Sequence, residues 1–178
     1  MFGLFKPTMA RTAEPLSPKL SRLLREASWL LLAAVGCYLA LILLTYHRSD
    51  PGWSHTGGEV VRNTGGPFGA WLADLLLSVF GVSAWWWAAL AFVIVLHSYR
   101  RLDLSGLVDR HSVAVTSIGF VIVLLASAAI EALRMHSAGA ELPGVPGGMF
   151  GVLIAGVLSY GFGFTGTTLL LLVLFAIG

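Results

Sequence analysis

Residues 65–84 read GGPFGAWLADLLLSVFGVSA, and residues 147–166, 82 positions further on, read GGMFGVLIAGVLSYGFGFTG. Eight of the twenty aligned pairs are identical: Gly65, Gly66, Phe68, Gly69, Ala73, Leu76, Phe80 and Gly81 fall on Gly147, Gly148, Phe150, Gly151, Ala155, Leu158, Phe162 and Gly163. Self-similarity at a fixed offset marks a duplicated unit. It also explains two apolar stretches, 67–99 and 149–178, that are each too long or too rich in glycine for one plain span. Phe68, Trp71, Leu72, Leu75, Leu76, Val79 and Phe80 recur at helical spacing. Each copy is therefore expected to hold a short helix, over 67–80 and 149–162, lying in the interface or dipping shallowly into it. Gly81 and Gly163 should break it before a true span.

Working outward, the same offset carries residues 27–46 onto 109–128, close to a second apolar run at 112–130. Twenty residues without a formal charge, Ala27 to Tyr46, match the roughly 30 Å hydrocarbon layer at about 1.5 Å per residue. The expected fold class is an all-α membrane protein. Four transmembrane helices, near 27–46, 82–99, 112–130 and 164–178 and beyond, form two repeated helical hairpins, each with a short interfacial helix before its second span. Residues 1–20 are expected as a weakly ordered cytoplasmic tail, with Ser17 and Pro18 as N-cap and first residue of the helix that follows. Lys19, Arg22 and Arg25 then give that helix a basic flank. The fourth span is short, and the repeat would put its basic stop near position 182, so the natural protein is expected to continue.

Of the 178 residues, 57% are apolar and 11% charged, outside the range of soluble domains. A net charge of +2 is too small for electrostatic nucleic-acid binding by this chain. Basic residues divide eight to three: five in the N-terminal segment with Arg100, Arg101 and Arg110, against Arg48, Arg62 and Arg134. Both termini and the 97–111 loop are accordingly expected in the cytoplasm, and the 47–66 and 131–148 loops outside. Trp85, Trp86 and Trp87 fall near a headgroup layer on that register.

Few groups could carry chemistry. The single cysteine, Cys37, excludes an intrachain disulfide and a cysteine-based zinc site. Neither Lys6 nor Lys19 follows a glycine-rich turn, so there is no P-loop. His47, His55, His97, His111 and His136 show no metal-ligand spacing, and no nucleophile elbow occurs. Asp74, His97 and Glu131, the ionisable residues nearest membrane depth, each lie close enough to an interface to be solvated or paired locally, Glu131 with Arg134 three residues on. Catalytic, cofactor and metal sites are all expected to be absent from this chain.

Small residues recur every fourth position at Gly147, Gly151, Ala155, Ser159 and Gly163, matched by Gly65, Gly69, Ala73 and Gly81, with Leu77 the exception. Gly36 with Ala40, and Ala33 with Cys37, offer similar faces on the first span. Such spacing lets backbones approach closely where burial from water offers little drive, either inside the bundle or between copies. Leucine at Gly151 should force apart whatever is packed there and, on the second alternative, disturb recruitment.

The run Ser49-Asp50-Pro51-Gly52-Trp53-Ser54, followed by Asn63-x-Gly65-Gly66, Gly69-Ala70-Trp71-Leu72-Ala73-Asp74 and Phe80-Gly81, resembles the N-terminal membrane domain of the FtsK/SpoIIIE family of bacterial DNA translocases, in its gammaproteobacterial form. Gly147-Gly148-x-x-Gly151 and Phe162-Gly163 resemble the same family's fourth-span region. The resemblance runs from about Arg22 to Gly178. It implies a four-span anchor in the bacterial inner membrane at the division septum, which contacts other division proteins and supports a homo-oligomer, hexameric in the full protein. ATP, Mg and DNA would be engaged only by a motor domain beyond a linker, both outside this chain. The competing expectation is a small self-contained transporter or channel built from two repeats.

Overall fold

The computed structural model describes residues 17–58, 60–100, 110–135 and 142–178, and every regular element among them is helical. Helix α1 spans Pro18–Leu44. It begins nine residues before the uncharged run because Ser17 Oγ accepts from Leu20 N at 3.4 Å, capping a start that Pro18 favours. The last residues assigned to the tail are thus helical, while residues 1–16 lie outside the described residues.

Helix α2, Gly66–Phe80, is followed by a 3₁₀ turn at Gly81–Ala84 and by α3, Trp85–Arg100. Helix α4 covers Arg110–Arg134, and α5 covers Gly148–Ile177. Among the described residues four stretches are long and apolar enough to cross a membrane: Lys19–Leu44, Gly66–Leu96, Val113–Arg134 and Gly148–Ile177, the second and fourth of which take in the short helices as well as the expected spans at 82–99 and 164–178. Helix α3 lies against α1, and α5 against α4.

The glycine breaks fall where the repeat puts them. Gly81 has φ 64° and ψ −148°, and Gly163 has φ 64° and ψ 177°, a left-handed φ that a Cβ would oppose. Residues 148–177 are consequently two helical arms that meet at a kink at Gly163. Ala155 and Leu171 share one buried cluster with Ala126 and Ala129. A straight helix would hold them about 24 Å apart, whereas Ala126 and Ala129 are separated by about 4.5 Å along α4. The chain must turn back at Gly163. Beyond the turn it retraces α4, with Phe164 under the Arg134 guanidinium and Gly178 against Gly119.

The core is built from small residues. Ala70, Ala73, Ala84, Ala88, Ala91, Ala126, Ala128, Ala129 and Ala155 are all buried, and Ile42 and Leu171 are the largest apolar side chains fully enclosed. Close backbone approach replaces side-chain volume, as expected where apolar burial gives no advantage over lipid. A Cβ at Gly151 would strike the Ala128 carbonyl, one at Gly147 would strike that carbonyl and Ala132, and Gly65 and Gly69 leave room for the Ile42 side chain. Gly36 does the same for Ala91. These rungs of the small-residue ladder are occupied from within the chain. Gly163 has nothing within 4 Å and acts only as the bend.

Trp85, Trp86 and Trp87 are half-buried and make contacts inside the bundle. Trp85 packs on the cluster of Ile42, Leu43 and Ala84. Trp86 meets Phe175 edge-on with centroids 5.9 Å apart, and Trp87 meets Phe120 at 5.2 Å. These aromatic contacts tie α3 to α4 and α5 where the backbones stand too far apart for small residues to bridge.

Gly151→Leu is expected to destabilise the bundle itself by about 1–3 kcal/mol through overpacking, and Gly156→Leu, at a glycine with open space beside it, to cost little. Unfolding of both variants in the same detergent micelles checks this. Equal losses would show that the Ala128 contact does not hold α5 in place.

Candidate functional site

Where α1 ends and α2 begins, backbone polar groups lose their helical partners at the edge of the apolar layer. Asn63 answers for several of them. Its Nδ2 donates to the carbonyls of Ile42 at 2.8 Å and Thr45 at 3.3 Å, and its Oδ1 accepts from Gly65 N at 2.9 Å. Asp50, 2% exposed, holds Asn63 in place by accepting from Asn63 N at 2.7 Å and Arg62 N at 2.9 Å. Thr45 Oγ1 donates back to the Leu41 carbonyl, and the Tyr38 hydroxyl donates to the Gly65 carbonyl.

Asp74 forms a second centre one step further into the bundle. It lies midway along α2 and is completely buried. Its carboxylate accepts from Ser54 N at 2.6 Å, Ser54 Oγ at 3.1 Å and the Tyr46 hydroxyl at 3.0 Å, with His55 Nδ1 at 3.6 Å. Gly52 lies so close to this carboxylate that a Cβ there would overlap it. The 49–55 loop is thus pinned over α2 by one anionic group. Burial first, and then the hydrogen bond to Asp74, raise the pKa of Tyr46 well above that of an ordinary phenol.

Glu131, near the end of α4 and 4% exposed, is the third centre. Its partners are Val82 N at 3.0 Å, Ser83 N at 3.2 Å and Ser83 Oγ at 3.3 Å. A carboxylate at the N–H groups opening the helical run into α3 is favoured by both hydrogen bonding and the helix dipole. The expected local pairing with Arg134 is not what holds Glu131, because Arg134 instead reaches Thr168 Oγ1 at 3.4 Å and stacks over Phe164. Asp74 and Glu131 were expected to be solvated or paired locally; both are buried and meet partners 20 to 49 residues away. The 49–55 loop covers Asp74, and the turn at 81–84 covers Glu131.

Of the motif Ser49 to Ser54, Asp50 and Ser54 carry the bonds, Gly52 gives clearance, Pro51 is half-buried, and Ser49 and Trp53 are exposed. Gly81 meets Gly147 and Glu131, so the two copies touch through that joint. Ala73 and Ala155 are buried in the two separate clusters. Tyr46 and His55 were not assigned to Asp74 on sequence grounds, since nothing in spacing alone brings residues 46, 54 and 74 together.

The proximity of Ser54, His55 and Asp74 does not make a nucleophilic triad. Ser54 Oγ bonds Asp74 directly and also shares Nδ1 of His55 at 2.9 Å, while the other ring nitrogen is buried with no partner. A triad needs the carboxylate and the hydroxyl on opposite ring nitrogens. Among the described residues no cluster of three His, Cys, Asp or Glu could hold a metal ion.

The family described as the 4TM region of DNA translocase FtsK/SpoIIIE matches residues 21–178. The chain belongs to the FtsK/SpoIIIE family. Among curated relatives, DNA translocase FtsK 2 of Ralstonia nicotianae is 46% identical over 97% of this chain and 23% of its own length. DNA translocase FtsK of Pseudomonas syringae pv. syringae is 34% identical over 97% of this chain and 22% of its own. For DNA translocase FtsK 1 of Neisseria meningitidis serogroup B the identity is 32%, over 85% and 19%. The chain therefore spans about a fifth to a quarter of the length of these relatives. No solved structure matches it. In this FtsK/SpoIIIE membrane region the segments that carried the resemblance, 49–54 and 69–74, are the two that meet at the Asp74 carboxylate.

Asp74→Ala should leave three donors at Ser54 and Tyr46 without an acceptor, at about 1–3 kcal/mol for each donor that stays buried, and free the 49–55 loop. Hydrogen exchange across residues 45–65 in micelles should rise, with a smaller effect for His55→Ala. An unchanged exchange pattern in Asp74→Ala would mean that the carboxylate does not hold the loop.

Proposed function

We propose that this chain is the membrane anchor and septum-targeting interaction module of a DNA translocase that couples chromosome segregation to cell division. It resides in the bacterial inner membrane with both termini in the cytoplasm. The observation that carries the proposal is the family match over residues 21–178, which ends within the first quarter of relatives named as DNA translocases. ATP, Mg and DNA belong to the remainder of such a protein. This part contributes the lipid-embedded bundle, contacts with other division proteins and support for a homo-oligomer.

The chemistry of the polar centres supports an anchor over a conduit. A transport site needs polar groups free to exchange partners at membrane depth, whereas Asp50, Asp74 and Glu131 each accept from fixed backbone N–H groups. Contact with partners is better served by what the sealed loop presents. Trp53 is 48% exposed beside the motif, and Phe68 and Trp71 stack on the outside of α2 at 6.5 Å. An exposed aromatic on a rigidly held loop is the side-chain type that dominates binding energy at interfaces. Gly151, by contrast, is an internal packing residue, and its replacement does not separate recruitment from folding.

In the full-length protein, Trp53→Ala should retain motor ATPase and membrane insertion but recruit poorly to the septum, as read by fluorescence microscopy of a tagged protein. With Cys37 replaced, a cysteine at exposed Thr56 should react with an impermeant thiol reagent in intact cells. Saturable solute or ion flux through the purified domain, abolished by Asp74→Asn or Glu131→Gln, would overturn the anchor in favour of a transporter.

A further inference from the structure

The arm of α5 before its bend, residues 148–162, differs from α2 in what covers it. The 45–65 loop roofs α2 through Asp74, leaving Phe68 and Trp71 as its large exposed residues. At the position that the 82-residue offset pairs with Asp74 stands Gly156, with nothing within 4 Å. The arm is bare along most of its length: Met149, Val152, Leu153, Val157 and Phe162 are 47–66% exposed, and Tyr160 is 97% exposed.

Its direction follows from where it touches α4. Gly147 lies against Ala128 and Ala132, Ala155 shares a cluster with Ala126 and Ala129, and Phe164 lies under Arg134. Start, middle and end of an arm about 22 Å long therefore fall within a stretch of α4, Ala126 to Arg134, that rises only about 12 Å. An arm running along α4 would need nearly twice that rise, so it crosses α4 instead. The crossing lies within the last turns of the membrane-spanning segment Val113–Arg134. No Asp, Glu, Lys, Arg or His occurs from Leu142 to Gly178. The arm carries no charged side chain, and its exposed apolar face runs on through Phe162 and Phe164 toward the exposed Leu169, Leu172 and Val173 of the second arm.

We propose that residues 148–162 are an in-plane lipid-contact helix, embedded in the single leaflet at the Arg134 end of the bundle, with the upper acyl-chain and glycerol region of that leaflet as its ligand. The aliphatic face takes the chains, and the Tyr160 hydroxyl meets the polar boundary, where such amphipathic rings are favoured. Because α2 is roofed and this arm is not, the anchor displaces more lipid under one hairpin than under the other.

The test is nitroxide scanning of the 178-residue chain, with Cys37 replaced, in liposomes of phosphatidylethanolamine and phosphatidylglycerol. Labels at Val152, Leu153, Gly156 and Tyr160 are compared with labels at Leu169, Val173 and Ile177 by power saturation with oxygen and with a water-soluble nickel chelate. The first group should favour oxygen at one common shallow depth, while the second group deepens by about 1.5 Å per residue. Three outcomes would overturn the proposal: nickel access at the first group, which puts the face in water; exclusion of both relaxers, which puts a second copy or another protein over it; or a steady depth gradient from 152 to 160, which makes the arm part of a span. Unfolding midpoints close to the parent's would show that the labelled proteins keep the fold.

Discussion

A helix that stops at the edge of a bilayer leaves N–H and C=O groups that neither hydrocarbon nor a neighbouring helix can satisfy. This chain stops or bends its helices near Leu44, Gly66, Gly81, Arg134, Gly148 and Gly163, all at one end of the bundle. Three buried side-chain centres make those interruptions possible. The Asp50–Asn63 pair closes the end of α1 and the start of α2, Asp74 fixes the loop between them, and Glu131 receives the backbone that opens the way into α3. Without them the short helix between the first two spans would have no stable place to begin or end.

The same economy restricts what the domain can do. Each carboxylate is matched to donors that are fixed parts of the backbone, so its negative charge is used to hold chain segments together. The Glu131 bonds also cross from α4 to the turn before α3, which ties the second copy to the first at the point where Gly81, Gly147 and Gly148 bring their backbones together. Rigidity at this end holds the 49–55 loop and α2 as one constant surface.

Residues 65–84 and 147–166 are alike in sequence but stand in different surroundings. Gly66 and Gly148 share a positive φ, as do Gly81 and Gly163. Yet the first bend is buried against Glu131 and Gly147, and the second is open. In the first copy polar loop residues cover the short helix; in the second Gly156 stands where the offset puts Asp74, and the helix face stays apolar and exposed.

Much of this was legible in the chain alone, and for definite reasons. Uncharged runs of about twenty residues have one physical outcome in a cell, and glycine at two positions 82 apart signals a backbone conformation that other residues resist. The helical class, the four stretches long and apolar enough to span, the Ser17 cap and the breaks at Gly81 and Gly163 follow from such local rules. What local rules cannot supply is the identity of a partner distant in sequence. Glu131 had Arg134 one turn away and took the N–H groups of residues 82 and 83 instead; Gly151 matched a small-residue packing pattern and met Ala128 of its own chain; Trp86 and Trp87 met Phe175 and Phe120. The sequence by itself determined that four stretches are long and apolar enough to span and where the chain breaks at glycine, because those are properties of short segments. Only the tertiary structure decided which buried carboxylate met which donors, since that depends on crossings between helices that lie up to 49 residues apart.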